Sequence, residues 1–307
     1  MTTLLLLEQL LNGLQLGVTL FLMAAGLTLV FGVMGLINLA HGSLYMVGAF
    51  CCAWVANTTG SFLLGLLAGF LGAGIAGAII EIIVIRKLYA RDHLDQVLAT
   101  FALILIFSEG TSWIFGSSPL YLNIPSWLSG SVSFGENASY PIYRLLIIVI
   151  GLTIAYGLYL LITKTRLGMR IRAGESDRKM IAALGVNIRS IYTIVFALGA
   201  ALAGLAGALV GALRSVEVGM GEPVLILALV VIVIGGIGSV KGALVAAILV
   251  GFVDTLGRVF LPDLLSLIIQ DRSNVATLSA SLSSVLVYIL MALILAIKPQ
   301  GLFPANA

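Results

Sequence analysis

From residue 9 to residue 297 the sequence is a succession of apolar runs, most near the ~20 residues a helix needs to cross a hydrocarbon core. The runs cover residues 9–33, 43–55, 62–85, 96–115, 143–162, 191–213, 223–237, 243–261 and 282–297. Two of the nine, 43–55 and 223–237, are short. If a short pair shares one crossing, the count falls to eight. Only 9% of the 307 residues are charged and 61% are hydrophobic, against roughly 25% charged in a soluble domain. A chain so poor in charge cannot cover its own core in water. In lipid, backbone groups must be satisfied within the segment, which leaves helices as the reading for runs of this length. The sequence therefore predicts one all-α, polytopic membrane bundle over residues 1–307, with eight or nine spans, some of them discontinuous.

Orientation follows from the basic residues, which collect in cytoplasmic loops. Arg86, Lys87 and Arg91 form one cluster. Lys164, Arg166, Arg170, Arg172, Arg178, Lys179 and Arg189 form a second, and the loop 116–141 has no Lys or Arg. Alternating nine spans with both clusters inside puts the N-terminus outside and the C-terminus inside. Lys241 and Lys298 also fall inside, while Arg144, Arg214, Arg258 and Arg272 fall outside or at the outer boundary. The first residues lack a basic region and a small-residue cleavage site, so they read as part of the mature protein rather than a signal peptide. The net charge of +3 suits loop orientation and suggests no nucleic-acid surface. Cys51 and Cys52 are neighbours on a helix, pointing in different directions, and read as small apolar residues rather than metal ligands.

Small residues recur every fourth position in two spans: Gly65, Gly69, Ala73 and Gly77 in the third, and Gly199, Ala203, Gly207 and Gly211 in the sixth. Such stripes let helix backbones approach closely; they fit either tight packing or a narrow pathway. Two glycine-rich segments, 35–44 and 235–244, match at four positions at an offset of 200 residues and suggest a weak internal duplication. Both are placed at the inner end of a hairpin. Breaks of this kind often line transport sites, which makes Asn38, His41, Gly42, Gly235, Gly236, Gly238 and Ser239 candidate pathway residues. For Asn38 and His41 the simpler reading is local backbone capping near the cytoplasmic face. Among charges inside spans, Asp254 and Arg258 share a helix face and are expected to pair; Glu81 and Glu109 are the others.

The inner stretch 165–190 is the most informative polar segment. Ser176 reads as an N-cap with Asp177 in the first turn, and Gly185 as the stop of a short helix. Met180 and Leu184 share one face, Ile181 lies beside them, and Arg178 and Lys179 stay polar.

The segment Gly168-Met-Arg-Ile-Arg-Ala173, with Ala183-Leu-Gly-Val-Asn187, resembles the cytoplasmic coupling loop of branched-chain amino acid ABC-importer permeases. Residues 37–42 (Ile-Asn-Leu-Ala-His-Gly) resemble that family's first inner hairpin, and 234–243 (Ile-Gly-Gly-Ile-Gly-Ser-Val-Lys-Gly-Ala) its second. The resemblance covers nearly the whole chain and is closest to the H-type permease. It implies a bacterial inner-membrane location, an M-type partner permease, two cytoplasmic ATPases and a periplasmic binding protein, with transport by alternating access. Glu175, Ser176, Asp177, Arg178, Lys179, Met180, Ala183, Leu184 and Gly185 would then form the ATPase-coupling element. The chain has no GxxxxGK[ST] phosphate loop, so ATP belongs to the partners, no cofactor is assigned to this chain, and it is a transport subunit rather than an enzyme. An ion-coupled secondary transporter or channel is the alternative. Urea, amides or aromatic acids are the alternative cargoes.

Overall fold

The computed structural model describes residues 3–133, 139–176, 178–269 and 271–303. In chain order the elements are α1 (Thr3–Met34), α2 (His41–Thr59) and α3 (Phe62–Ile80), which continues through a π turn (Glu81–Ile85) into α4 (Arg86–Leu88). Then come α5 (His93–Phe115), a small antiparallel ribbon of β1 (Ser131–Ser133) and β2 (Ser139–Pro141), and α6 (Ile142–Lys164). The second half holds α7 (Arg166–Ser176), α8 (Arg178–Ala183), α9 (Ile188–Gly211), α10 (Gly221–Gly235), α11 (Val240–Ser266) and α12 (Arg272–Ile297).

Seven helices among the described residues are long and apolar enough to cross a membrane: α1, α3 with its continuation, α5, α6, α9, α11 and α12. The two short runs became α2 and α10. Each of the nine apolar runs thus corresponds to one helix. The ribbon and an isolated bridge between Leu120 and Val216 are the departures from an all-helical chain, and both lie in or against the loop 116–141.

Two helices form the centre. In α1, 83% of the apolar window is enclosed, and in α9, 72%, against 11–28% for the other five. Neither helix has a polar face to turn outward, the pattern of a helix buried all round. Close approach is what encloses them. Gly26 of α1 meets Gly199 of α9 backbone to backbone, and Gly48 of α2 meets Gly204. A methyl on Gly204 would lie 2.2 Å from the Ala73 Cβ of α3 and 2.8 Å from the Gly69 carbonyl oxygen. The two stripes of small residues therefore face each other: α3 and α9 run antiparallel, with Gly69 near Ala208, Ala73 near Gly204 and Gly77 near Ala200. On the other side α1 meets α11, Gly13 and Gly17 against residues 247–252. No hydrophobic effect drives helices together in lipid, so small residues and backbone contact do this work.

Candidate translocation and coupling sites

The first broken segment does not turn at the end of the bundle. From Gly26, opposite Gly199, α1 runs eight residues farther, ~12 Å, to Met34. Gly35 ends it with φ 67° and an N–H bond to the Phe31 carbonyl at 2.7 Å. His41, the first residue of α2, lies beside the backbone of Met23, ~16 Å back from Met34 at 1.5 Å per residue. A second route gives the same level: the Tyr45 carbonyl abuts Gly207, ~12 Å beyond Gly199 along α9, and His41 is one turn before Tyr45. Residues 35–40 thus re-enter the bundle, and α2 starts halfway along α9. The expectation of a capping turn near the cytoplasmic face is corrected accordingly. Capping does occur, since Asn38 Oδ1 accepts the Ala40 N–H at 3.1 Å and the Asn38 carbonyl accepts the His41 N–H at 3.2 Å, but at depth.

Asn38 and His41 are buried, at 1% and 0% exposure. The Asn38 Nδ2 has no hydrogen-bond partner among the described residues, and neither does the Thr28 hydroxyl of α1; the His41 ring faces the Met23 backbone with one nitrogen and leaves the other to spare. Buried polar groups are ordinarily paired. Gly42, next in the chain, touches Gly221, the first residue of α10: a methyl on Gly221 would sit 1.8 Å from the Gly42 carbonyl oxygen. The N-termini of two helices therefore meet inside the bundle. Helix N-termini carry free N–H groups and a partial positive charge, and in transporters such half-helix ends commonly face anionic cargo groups.

The second glycine segment is built differently. Gly235 ends α10 against Gly242 of α11, the turn uses Gly236 (φ 99°) and Gly238 (φ 83°), and Ser239 caps α11 by accepting the Gly242 N–H at 3.1 Å. Positive φ at these two places is what glycine permits. The C-terminal segment closes the turn: the N–H groups of Leu302 and Phe303 bond to the carbonyls of Ile234 and Gly235 at 2.9 and 3.0 Å. The two motifs do not share one site. They bracket α10, Gly42 at its start and Gly242 at its end, ~21 Å apart at 1.5 Å per residue. Both keep the order helix, glycine turn, glycine-bearing helix start, which is what the offset of 200 residues reflects.

Glu81 is wholly buried where the α-helix gives way to the π turn. Its carboxylate accepts Arg86 Nη2 at 2.8 Å and Nε at 3.2 Å, the Tyr89 hydroxyl at 2.9 Å and the Thr193 hydroxyl at 2.7 Å. Arg86 Nη2 also donates to Thr193 Oγ1 at 2.8 Å. Tyr89 meets Tyr192 edge to face, ring centroids 5.1 Å apart. Burial, and after it the Glu81 charge, pushes the Tyr89 phenol above its ordinary range, so it remains a donor. This network ties the end of α3 to the start of α9. The second intramembrane charge, Asp254, pairs with Arg258 as expected, through two bonds of 2.9 Å.

Between α6 and α9 the chain forms two helices where the sequence suggested one. Ser176 is the last residue of α7 rather than the N-cap of the next helix. Asp177, which precedes α8, lies outside the described residues, and so do the side chains of Glu175, Ser176, Arg178 and Lys179. Gly185 stops α8 with φ 81°, as expected, and the N–H groups of Leu184, Gly185 and Val186 fold back on Met180, Ala182 and Ile181. Ile181 is buried while Met180 and Leu184 are 60% and 74% exposed. Ile181 thus anchors α8, and the other two apolar side chains point outward. Asn187 then caps α9 through the Ser190 N–H.

Residues 9–295 match the family model described as the permease component of the branched-chain amino acid transport system. The chain belongs to that permease family. The high-affinity branched-chain amino acid permease BraD of Pseudomonas aeruginosa is 33% identical, over 82% of this permease and 86% of its own length. LivH of Escherichia coli is 29% identical, over 96% and 94%. The ribose import permease RbsC of Escherichia coli is also similar, 29% identical over 76% and 72%. No solved structure matches the permease.

Sequence reasoning about the permease missed three partners of Glu81 and all of α7. Arg86, Tyr89 and Thr193 are far apart in character, and Thr193 is distant in sequence. The available signal was Glu81 itself, since a carboxylate inside a span requires partners. Helix α7 was legible as Arg166–Ser176 without a breaker other than Gly168 and Gly174, but the polar composition drew attention to the cap at Ser176 instead.

Proposed function

We propose that this permease carries branched-chain amino acids inward across a bacterial inner membrane as the H-type half of a permease pair. Two cytoplasmic ATPases drive it, and a periplasmic binding protein delivers the cargo. The relatives named for branched-chain amino acids cover more of the chain than the ribose permease does, which favours amino-acid cargo. In this reading α2 and α10 complete their crossings through residues 35–40 and 212–220, giving nine crossings with the N-terminus outside.

The observation that carries the reading is α8: a short helix with Ile181 buried and Met180 and Leu184 exposed among the described residues, leading directly into the central helix α9. An ATPase docked on α8 shifts the start of α9. The Glu81–Thr193 bond passes that shift to α3, and the Gly204–Gly48 contact passes it to α2. Movement of α2 opens or closes the junction of Gly42 with Gly221, where Asn38 and His41 have spare hydrogen-bonding capacity. The cargo carboxylate meets the two helix N-termini there. A photo-crosslinking residue in place of Leu184, in native membranes, tests the docking. Attachment to an ATPase subunit is the expected result; attachment to lipid alone removes the proposal's main support.

A further inference from the structure

A cavity of about 1030 Å³ opens between α1, α6, α7, α11 and the C-terminal segment. It is separate from the Gly42–Gly221 junction. Lys241, at the start of α11, places its ammonium 5.5 Å from the Tyr159 ring centroid. Arg172 of α7 reaches across to donate to the Ile162 carbonyl at the end of α6. Both cations line the cavity, and no acidic residue does among the described residues. Among the described residues the ion pairs are those of Glu81 with Arg86 and Asp254 with Arg258, and neither includes Lys241 or Arg172. The buried, unpartnered Thr28 hydroxyl lies on the same wall. Deeper in, the wall is apolar, with Phe21 and Leu244. Tyr156, 64% exposed, stands at the side that faces outward from α6.

A cationic rim with no carboxylate among the described residues, set over an apolar wall, suits an anion with a hydrocarbon body. Basic pockets between helices at the cytoplasmic side commonly hold acidic headgroups, and long cationic side chains at helix ends reach toward that level. We propose that this cavity binds an acidic phospholipid of the cytoplasmic leaflet, its phosphate between Lys241 and Arg172 and an acyl chain against α1 and α6. The proposal rests on the orientation given above, but not on the cargo. Because Arg172 belongs to α7, the lipid bridges the bundle to the segment that leads into α8.

The test is retention of phosphatidylglycerol against phosphatidylcholine by the full-length purified chain, read by native mass spectrometry. Wild type retains phosphatidylglycerol preferentially. Lys241→Gln and Arg172→Gln each lower that preference about fivefold, whereas Lys87→Gln, an exposed cation elsewhere, leaves it unchanged. Lys241→Gln suffices if Arg172→Gln disturbs α7. Equal retention of the two lipids by wild type, or an equal loss in Lys87→Gln, overturns the proposal. So does a photo-crosslinker at position 156 that attaches to the second permease in the assembled importer, since the cavity would then be a protein interface. These readouts need no transport, so their failure is distinct from failure of the cargo reading.

Discussion

Replacing Gly221 by alanine adds one methyl group where the structure has no room. The new carbon would lie 1.8 Å from the Gly42 carbonyl oxygen and 2.5 Å from its carbonyl carbon. Ordinary contact is about 3.5 Å, so the start of α10 must withdraw ~1.5 Å from α2. The obstacle is backbone, which no rotamer change relieves. Overpacking of this kind costs about 1–3 kcal/mol, and alanine's better helix propensity returns at most about 1 kcal/mol. The net expectation is a loss of about 1–2 kcal/mol. Gly110 in α5 is the matched control: a methyl there meets nothing within 4 Å, so Gly110→Ala is neutral or stabilising by up to about 1 kcal/mol. Thermal unfolding of the two purified variants in one detergent separates them, Gly221→Ala melting several degrees lower. Transport by Gly221→Ala also falls, because α2 and α10 no longer meet. Equal stability of the two variants would refute the close approach of these helix starts.

Tyr89→Phe and Thr193→Val each remove one bond to the buried Glu81 carboxylate, at about 1.5–3 kcal/mol apiece; denaturant unfolding of the double variant should show non-additivity, since both bonds share one acceptor. Leu184→Glu, at a position 74% exposed, leaves folding unchanged and abolishes co-purification of the ATPases. Gly236→Ala forces an L residue into φ 99° and puts its methyl 2.7 Å from the Phe303 carbonyl oxygen. It lowers the melting temperature and frees the C-terminal segment, which limited proteolysis detects.

Much of the bundle was legible because lipid imposes one rule, and runs of ~20 apolar residues obey it. The nine runs, the Asp254–Arg258 pair and the Gly185 stop all follow from local spacing. Helix α1 was read as 9–33 and begins at Thr3; the run was cut at Glu8, a single charge that the helix carries past. The re-entry of residues 35–40 was not legible, because depth is set by tertiary contacts, of His41 with Met23 on the preceding helix and of Tyr45 with Gly207 more than a hundred residues away. For the same reason the sequence grouped Asn38, His41 and Gly42 with Gly235, Gly236, Gly238 and Ser239 as one pathway. The fold instead puts the two groups at opposite ends of α10. The stripes of small residues announced close packing, but only the structure pairs Gly204 with Ala73 and Gly48. Composition likewise shows that Lys241 and Arg172 are basic, not that they flank one cavity.

The central claim is that this chain moves an aliphatic amino acid only when cytoplasmic ATPases drive α8. Uptake of radiolabelled leucine measures it most directly, in proteoliposomes loaded with the binding protein outside and ATP inside. The purified permease pair is compared with and without its ATPase subunits. The account predicts uptake that requires ATPases and ATP together and is lost in Leu184→Glu. Leucine uptake by the permeases alone, without ATPases, would contradict it.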